Sequence, residues 1–543
     1  MLFEALWRKL DELSSNQLAK RLTYLGAIFF LATFIIIPPI LGISLKINLI
    51  SQVLSDPNLF TRAKSAIFNS FAIAFSVATL DLIFALPMAW FIAKGNSKWR
   101  NVIDALADIP FIIPTVALGF STLLFWSNTG PLALLGISVQ PGIFLILLLH
   151  FAFSYPVIVR VMVGELLAYN VIYETAAKTL GAKAFTIART VTLPLMRPGL
   201  IAAFLLAFAR SLSETGATLI VTGGFENGPV FIQNAKDAAL EGPMVLVSFT
   251  LIVLSVTVFA LIRFFGTRMK LPINRVFPRF ESKLSHSQTV NMRDGATLAV
   301  FGFFVLIPSI YIALPALEAL TDGTLQNALS GRGIWSEYWQ AMSLSYIIAA
   351  VATLINVITG LPIAILIARK RLGKLATTLL DAAVNMPLVV PSVALGVSLS
   401  FFWRSFGFLP EFWIIVFAHT TITYTYFVQA MAASIEGIPE EMEETARTLG
   451  SRPFTVFRRI IAPIAKYSLF SGAILTFTRS VNETGATTAV SQSLKTAPVL
   501  MVSWVKHAVP ATTSDIALGI AFLVLTSFAS LLALRLVVYR RRK

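Results

Sequence analysis

Residues 173–194 read YETAAKTLGAKAFTIARTVTLP, and residues 442–463 read MEETARTLGSRPFTVFRRIIAP. The two stretches align at an offset of 269 residues, and the same offset aligns RSLSETGAT at 210–218 with RSVNETGAT at 479–487. Further upstream the offset becomes 277, where two prolines and a glycine match: Pro110, Pro114 and Gly119 with Pro387, Pro391 and Gly396. So many matches in the same order indicate an internal repeat, which organises the whole chain.

The composition is that of a membrane protein. Of the 543 residues, 56% are hydrophobic and only 13% are charged, whereas soluble proteins have about 25% charged residues. The apolar residues form runs of roughly twenty, the length that crosses a hydrocarbon core as a helix. Lipid offers unpaired backbone groups no partner, so these runs must be helical. Twelve spans are predicted, near 24–43, 66–93, 106–128, 142–163, 200–222, 246–266, 297–317, 344–368, 383–403, 412–434, 467–490 and 514–538.

Each repeat contains six of these spans. Because six is even, both repeats enter the membrane from the same side and are predicted to lie parallel. The predicted fold is therefore an all-α polytopic membrane protein with about 12 transmembrane helices in two parallel six-helix repeats. The predicted division of the chain is 1–266 for the first repeat (lead-in 1–22, loop 164–199), 267–296 for a cytoplasmic linker, and 297–543 for the second repeat (loop 435–466).

Positive charge is distributed unevenly between the two sides. Segments on the side of the N-terminus hold 32 of the 43 Lys and Arg residues, against eight in the opposite loops. Basic loops mark the cytoplasmic side, so both termini are predicted to be cytoplasmic. The net charge of +16 is scattered over seven short segments, which argues against nucleic-acid binding. With no cysteine and four histidines, two of them in spans, no metal site is predicted.

The two repeated loops have the local signals of a helix, a glycine turn and a second helix. In the second loop Pro439 suits a helix start and Gly450 suits a left-handed stop. Pro453 can begin another short helix, which is expected to end before Pro463. The first loop repeats this pattern with its turn at Gly181.

These loops resemble the EAA loop of binding-protein-dependent ABC importer permeases of the type I fold. The family pattern is E-A-A, three residues, G, nine residues, then I-x-L-P. The matching residues are Glu444-Thr-Ala446, Gly450 and Ile460-Ile-Ala-Pro463 in the second loop, and Thr175-Ala-Ala177, Gly181 and Val191-Thr-Leu-Pro194 in the first, with Glu174 one place early. Because Thr175 stands where Glu444 does, the two loops are predicted to be non-equivalent.

The resemblance implies that the short helix after each glycine is a coupling helix seated in a groove of an ATPase. The residues assigned to ATPase coupling are Glu174, Gly181, Ala182, Phe185, Pro194, Glu444, Gly450, Ser451, Phe454 and Pro463. The sequence has no G-x-x-x-x-G-K-[ST] phosphate loop, so ATP and Mg²⁺ are expected on a separate ATPase dimer, with no cofactor and no enzyme activity in this chain. Closure of that dimer would rock the two halves about a central pathway. The alternative is that the loops merely cap the bundle.

The resemblance also implies a prokaryotic inner-membrane location and an extracytoplasmic substrate-binding protein. The rival function is an ion-coupled secondary transporter with two six-helix halves, which would have no reason for paired loops of this kind. A membrane-embedded enzyme has no support, because H-E-x-x-H and G-x-S-x-G motifs are absent from the sequence.

Charged pairs lie inside the fifth and eleventh predicted spans. Each pair is followed by a glycine: Arg210, Glu214 and Gly216 in one, Arg479, Glu483 and Gly485 in the other. A charge at mid-bilayer costs at least about 2.5–3.5 kcal/mol, so such residues face an interior and find partners. Their i,i+4 spacing puts each pair on one helix face, and glycine permits a close helix contact or a local break. Two interpretations stay open: a gate or substrate contact, and a structural ion pair that locks the packing.

The substrate is not determined by these residues alone. The segment resembles the R-x-L-x-E-x-G-A-T stretch of sulfate, molybdate and tungstate permeases, whereas fusion of two halves is more usual in ferric-iron and thiamine permeases. The resemblance thus implies import of ferric iron or an inorganic oxyanion, with thiamine also open. Elsewhere in the first repeat, a local pair between Asp81 and Arg160 is a further hypothesis.

Overall fold

The computed structural model is described over residues 2–95, 98–266 and 277–539, and all regular elements in these ranges are helical. In the first half, helices run Leu2–Ser15, Gln17–Phe30, Ile37–Ser44, Ile50–Leu54, Pro57–Lys94, Arg100–Ala107, Ile109–Ile112, Thr115–Trp126, Ile143–Ala168, Ile172–Thr179, Ala184–Ile187, Leu193–Leu195, Arg197–Ser213, Gly216–Val221, Gly228–Asp237 and Glu241–Gly266. In the second half they run Pro278–Leu284, Ser287–Val300, Ile307–Ile310, Ala313–Glu318, Thr324–Ser330, Ile334–Ala368, Lys374–Val389, Ser392–Arg404, Glu411–Glu436, Glu440–Thr448, Pro453–Val456, Ala462–Val481, Gly485–Val490, Ala497–Val505 and Thr513–Tyr539. Wider π-helical turns join some of them, at Leu31–Ile36, Ala188–Thr192, Phe301–Leu306 and Phe457–Ile461.

The helices account for the predicted membrane spans. Among the described residues, eight helices are long and apolar enough to cross a membrane, and the number rises to eleven when three bent helix pairs each count as one span. Helix Glu411–Glu436, with 26 residues, occupies the place of the remaining predicted span, 412–434. The all-α fold is therefore confirmed. Residues 267–276 of the predicted linker lie outside the described residues.

Two of the bends fall at the paired prolines. Helices Lys374–Val389 and Ser392–Arg404 meet at 106°, with Pro391 immediately before the second helix. In the first repeat, the helices on either side of Pro114 meet at 101°. Proline has no N–H to donate and disfavours a helical conformation for the residue before it, which breaks a helix at this point. The predicted interruption of both spans is confirmed.

The first span of each repeat packs against the other repeat. Ser398 Oγ, in the second repeat, donates to Pro39 O at 2.7 Å and accepts from Ile43 N at 3.0 Å, replacing a backbone bond that the first span has lost. Thr421 Oγ1 donates at 3.0 Å to Phe34 O, the carbonyl that would have received the N–H missing from Pro38. These serine and threonine contacts fix the exchanged span in register.

The opposite exchange uses an equivalent serine. Ser121 Oγ, in the first repeat, donates to Pro308 O at 2.6 Å and accepts from Ile312 N at 2.9 Å. Ser121 and Ser398 are separated by 277 residues, the offset of the upstream half of the repeat. Each six-helix bundle is thus completed by the first span of its partner, and the two repeats interlock.

Candidate functional site

A buried glutamate anchors each EAA-type loop to its own bundle. Glu174 pairs with Lys94, at the end of helix Pro57–Lys94, and accepts a hydrogen bond from Thr192 Oγ1 at 2.9 Å. Burial acts to raise the pKa of Glu174, but the hydrogen bonds from Lys94 and Thr192 outweigh it, and the pKa lies below its ordinary value. Glu443 is 1% exposed and accepts from Arg369 Nη2 at 2.7 Å.

The equivalent of Glu174 is therefore Glu443 and not Glu444. The two buried glutamates are 269 residues apart, which is the offset of the repeat. Glu444 and Thr175 are both exposed. The predicted difference between the loops does not extend to the buried anchor, which both loops possess. The alignment contained this signal, but matching the loop to the family pattern drew attention to the neighbouring position.

The tip of each loop is a left-handed glycine preceded by an exposed leucine. Gly181 has φ 82° and Gly450 has φ 84°, as the predicted turns require. Leu180 is 87% exposed and Leu449 is 82% exposed. Apolar side chains displayed at equivalent tips are typical of an interaction surface. The two leucines were missed in the sequence, where they read only as the residues before a helix stop.

A helix from the opposite end of the chain holds each coupling helix. We call Leu2–Ser15 and Pro278–Leu284 the brace helices. Phe454 N donates to Ser14 Oγ at 3.0 Å, and Phe185 N donates to Ser285 Oγ, just after the second brace helix, also at 3.0 Å. Thr186 Oγ1 donates to Glu281, whose other oxygen accepts from Arg189. The lead-in to each repeat therefore contacts the coupling helix of the other repeat.

Part of the predicted ATPase-contact surface is covered by a brace helix. The rings of Trp7 and Phe454 stack with centroids 5.6 Å apart, and the Arg458 guanidinium lies 5.2 Å from the Trp7 centroid. Phe185, at the equivalent position in the first loop, is 37% exposed. Of the other predicted coupling residues, Ala182 and Ser451 are half-buried beside the glycines.

The coupling helices do not end where the sequence predicted. In the second repeat one continuous helical stretch runs from Pro453 to Val481, passing through Pro463. A π-helical turn at Phe457–Ile461 precedes that proline, which lies in the first turn of the next helix and needs no N–H donor there. In the first repeat the helix bends by 74° at Met196, just beyond Pro194. The second coupling helix is thus rigidly continuous with its span.

The predicted charged pairs lie at two breaks in the bundle. Helix Arg197–Ser213 ends before Glu214, and helix Ala462–Val481 ends before Glu483. The expectation that each pair occupies one helix face is wrong, because each glutamate lies past the end of its helix. The ion pairs nevertheless form, with N–O distances of 3.7 Å for Arg210–Glu214 and 2.6 Å for Arg479–Glu483.

Each of these glutamates also caps the short helix that follows the break. Glu214 Oε1 accepts from Ala217 N at 3.1 Å, and Glu483 Oε1 accepts from Ala486 N at 3.0 Å. The carboxylate thus satisfies a backbone donor that the break leaves free. Its buried negative charge is balanced by the arginine one turn earlier.

A buried histidine bridges each break. His150 Nδ1 lies 2.8 Å from Ser211 Oγ, before the break, and its Nε2 lies 2.9 Å from Thr218 Oγ1, after it. In the second repeat His419 contacts Ser480 and Thr487 in the same way, at 2.8 Å each. The sequence showed that these histidines recur at the repeat offset, but their partners could not be assigned without the fold.

The two breaks meet at the interface between the repeats. A methyl group added to Gly216 would lie 2.7 Å from Thr484 Cβ, and one added to Gly485 would lie 2.3 Å from Ser392 Oγ and 2.7 Å from Thr215 Oγ1. Both glycines therefore permit a close contact as well as a break, as predicted. The buried hydroxyls of Thr215 and Thr484 have no hydrogen-bond partner among the described residues. The interface thus has a polar centre of small side chains that is closed in this structure.

The hypothesis of a pair between Asp81 and Arg160 is wrong. Arg160 pairs with Asp104 at 2.6 Å and also with Asp108. Asp81 is fully buried and accepts a hydrogen bond from Ser154. The two residues lie on neighbouring helices but at different depths, so local sequence patterns could not separate them.

Together the geometry defines a helical membrane protein with two interlocked repeats, a pair of equivalent loops at one end and a closed polar interface at its centre. The family model of the binding-protein-dependent transport system inner membrane component matches residues 82–271 and again residues 360–542, more than half of the chain. The chain belongs to this family and contains two copies of its domain.

Individual relatives each match about a third of the chain. The molybdenum transport system permease protein ModB of Haemophilus influenzae is 30% identical over 190 residues, which cover 34% of this chain and 79% of that protein. The sulfate transport system permease protein CysW of Escherichia coli is 29% identical over 211 residues, covering 37% and 70%. The molybdate/tungstate transport system permease protein WtpB of Pyrococcus abyssi is 29% identical over 208 residues, covering 38% and 81%.

Family membership decides between the functions that the sequence left open. The chain is a multi-pass inner-membrane permease subunit of an ABC importer and is not itself an enzyme. Its dependence on a binding protein implies both a binding-protein partner and an ATPase partner. The ion-coupled secondary transporter is thereby excluded. Among the described residues, no group of three or more His, Asp or Glu side chains could hold a metal ion.

Proposed function

We propose that this permease imports a small inorganic oxyanion of the sulfate, molybdate or tungstate class. The names of the three relatives above support this cargo, as does the repeated R-x-x-x-E-T-G-A-T segment at both central breaks. Ferric iron and thiamine, which the fused form of the chain suggested, have no support from these relatives. An extracytoplasmic binding protein delivers the oxyanion to the face opposite the coupling loops.

The ATPase dimer binds the two loop tips, one subunit on each. The observation that carries this assignment is the duplicated geometry: a buried glutamate anchor, a left-handed glycine and an exposed leucine recur at one end of the bundle. Gly181 with Ala182 and Phe185, and Gly450 with Ser451 and Phe454, form the contact surface. Exposed Glu444 lies beside it. The loops, and with them both termini, lie on the cytoplasmic side, in keeping with the basic segments there.

The pathway runs between the two central breaks. Arg210 and Arg479, paired with Glu214 and Glu483, hold the ends of the broken helices, and Gly216 and Gly485 let them touch. When the ATPase moves the coupling helices, the continuous second helix, Pro453–Val481, transmits the motion directly to its break. The functional division of the chain follows the sequence repeats, 1–266 and 297–543, with 267–296 as the linker.

Reconstitution tests this proposal. The chain is placed in proteoliposomes with the ATPase and binding protein encoded beside it, and ATP-driven uptake of labelled sulfate, molybdate, tungstate and ferric iron is measured. The expected result is uptake of at least one oxyanion that requires all three components. Uptake of ferric iron or thiamine, with no oxyanion transported, would contradict the proposed cargo while leaving the permease assignment intact.

A further inference from the structure

A lysine of the first repeat reaches into the second repeat, close to the end of a central short helix. Lys236 lies in helix Gly228–Asp237, and its Nζ donates to Thr488 O and Ser491 O. These carbonyls belong to the end of helix Gly485–Val490, where unpaired carbonyl oxygens carry partial negative charge. Lys236 therefore joins the two repeats directly.

A second cation from the other repeat converges on the same helix end. Arg404 Nη2 donates to Val490 O at 2.7 Å, and Arg404 Nε donates to Ser400 Oγ at 3.1 Å. Within the part of the chain that the structure describes, neither Lys236 nor Arg404 forms an ion pair with a carboxylate. Both cations are half-buried. Carbonyl and hydroxyl groups thus supply their only direct contacts there.

The carboxylates nearby are engaged elsewhere. Glu411 accepts hydrogen bonds from Ser493 N at 3.0 Å and from Ser493 Oγ at 2.6 Å. Asp237 accepts from Gln233 Nε2 at 2.7 Å. Burial lowers the pKa of Lys236 to about 8, and Arg404 acts in the same direction while Asp237 and Glu411 oppose it. A half-buried ammonium with this shift is short of negative charge around it.

The two cations lie at the far face, by which we mean the end of the bundle opposite the coupling loops. Helix Ile334–Ala368 spans the distance between the two ends. Arg369 follows its last residue and holds the coupling loop through Glu443. Near its start, Glu337 pairs at 3.1 Å with Lys495, which follows helix Gly485–Val490. At about 1.5 Å per residue, these ends are roughly 50 Å apart.

We propose that Lys236 and Arg404 form a binding site for a small inorganic oxyanion at the far face, where cargo enters. This inference rests on the anionic cargo of the proposed function and adds a specific site to it. A tetrahedral oxyanion would provide the negative charge that the cations lack. Because one cation comes from each repeat, the bound anion would bridge the two repeats.

The site occurs once in each chain and not twice. Lys506, 270 residues after Lys236, is exposed, and no hydrogen bond to a carbonyl involves it in the described ranges. Ser127 stands 277 residues before Arg404. Lys506 is therefore a matched control, because it has the same charge and an equivalent position in the repeat but lacks the second cation.

Thermal unfolding of the purified full-length chain in detergent tests the site. Sodium sulfate and sodium molybdate are compared with sodium chloride at equal ionic strength and pH 7. The wild-type chain and Lys506→Gln are expected to show a rise of roughly 2–4 °C in the unfolding midpoint with the oxyanions. Lys236→Gln is expected to show no more than chloride produces. Equal responses in Lys236→Gln and the wild type would overturn the proposal, and so would equal effects of chloride and oxyanion.

A second measurement covers the case in which Lys236→Gln folds poorly. Above pH 8 the free ammonium of Lys236 loses its proton, so the oxyanion effect on the wild type is expected to be weaker at pH 10 than at pH 7. Lys236→Arg keeps its charge at both values and should respond equally at both. A pH-independent wild-type response would contradict the role of Lys236.

Failure of this site and failure of the proposed cargo give different results. If the reconstituted system imports an oxyanion but Lys236→Gln imports it equally well and oxyanions do not stabilise the wild type, the site is wrong and the cargo stands. If the system imports no oxyanion although oxyanions stabilise the wild type through Lys236, the cargo is wrong and anion binding at the site stands.

Discussion

Thr455 Oγ1 lies 2.7 and 2.6 Å from the two carboxylate oxygens of Asp11, to which it donates, although the two residues are 444 positions apart. The first helix of the chain is thereby joined to the second coupling helix. Thr186 and Glu281 make the corresponding contact on the other side. Each ATPase docking loop is therefore attached to the first span of the opposite repeat, so displacement of one loop acts on both halves of the permease.

The exposed leucines at the loop tips should determine ATPase docking. Leu180→Asp together with Leu449→Asp is expected to abolish co-purification of the ATPase, because a charge replaces apolar surface at the contact. The permease itself should still insert and unfold at its normal temperature, since both side chains are exposed. Leu134→Asp is the control, at a leucine that is 92% exposed but lies in the loop after the third predicted span, on the opposite face. Normal ATPase binding in the double variant would contradict the assignment.

The glycine turns should tolerate side chains poorly. Gly181→Val and Gly450→Val place a β-branched residue at a positive φ, which costs about 1–2 kcal/mol and redirects the coupling helix. Uptake and ATPase co-purification are expected to fall together while the amount of inserted permease is unchanged. Gly295→Val is the control, at an exposed helical glycine whose added side chain would meet no atom within 4 Å. If both variants retain uptake, the turns are not part of the coupling surface.

The brace contact at Glu281 should be sensitive to acid. The hydrogen bond from Thr186 lowers the pKa of Glu281, and the Arg189 guanidinium acts in the same direction. A carboxyl group with a lowered pKa stabilises the folded state above its unfolded value of 4.5, and this contribution is lost as the pH falls. The brace helix is therefore expected to separate from the first coupling helix in acid, and Glu281→Gln should separate it at pH 7.

Spin labels can measure this separation directly. The chain has no cysteine, so Lys183→Cys and Ser282→Cys provide two unique exposed labelling sites, one on each side of the contact. The inter-label distance should lengthen in Glu281→Gln, whereas Glu436→Gln, at an exposed residue on the other coupling loop, should leave it unchanged. An unchanged distance in Glu281→Gln would show that the serine and backbone contacts suffice.

Much of this fold was predictable because lipid restricts the chain to helices of a fixed length. The twelve spans, the glycine turns and the proline breaks follow from local signals that tertiary contacts do not override. The exchange of first spans was not predictable, because Ser121 and Ser398 show no local sign that they replace backbone bonds around Pro308 and Pro39. The same holds for the brace helices, whose partners lie in the other half of the chain.

The histidines at the breaks should contribute to stability rather than to transport chemistry. Each bridges two hydroxyls, and a hydrogen bond contributes about 0.5–1.5 kcal/mol net. His150→Phe and His419→Phe are therefore expected to lower the unfolding temperature by similar amounts, because the two sites have the same geometry. His507→Asn, at an exposed histidine with φ 55°, is the control, since asparagine tolerates that conformation. A transport defect without loss of stability would instead point to a role in the pathway.

The two glutamates at the breaks should differ in their response to neutralisation. Glu483 lies 2.6 Å from Arg479, whereas Glu214 lies 3.7 Å from Arg210, so Glu483→Gln removes the shorter pair. Glutamine keeps an oxygen that can accept from the helix cap, and the main loss is therefore the charge that balances the arginine. An uncompensated buried charge costs about 3–5 kcal/mol, so Glu483→Gln should lower the unfolding temperature more than Glu214→Gln.

Comparison with transport then separates the two interpretations of these pairs. If the pairs are structural, the uptake rate per folded molecule stays normal in both variants, and only the amount and stability of the permease fall. If they gate the pathway, the uptake rate per folded molecule changes while stability is kept. The helix caps and the histidine bridges at the same breaks favour the structural outcome for Glu483. The longer Arg210–Glu214 distance makes Glu214 the residue where an altered uptake rate is expected first.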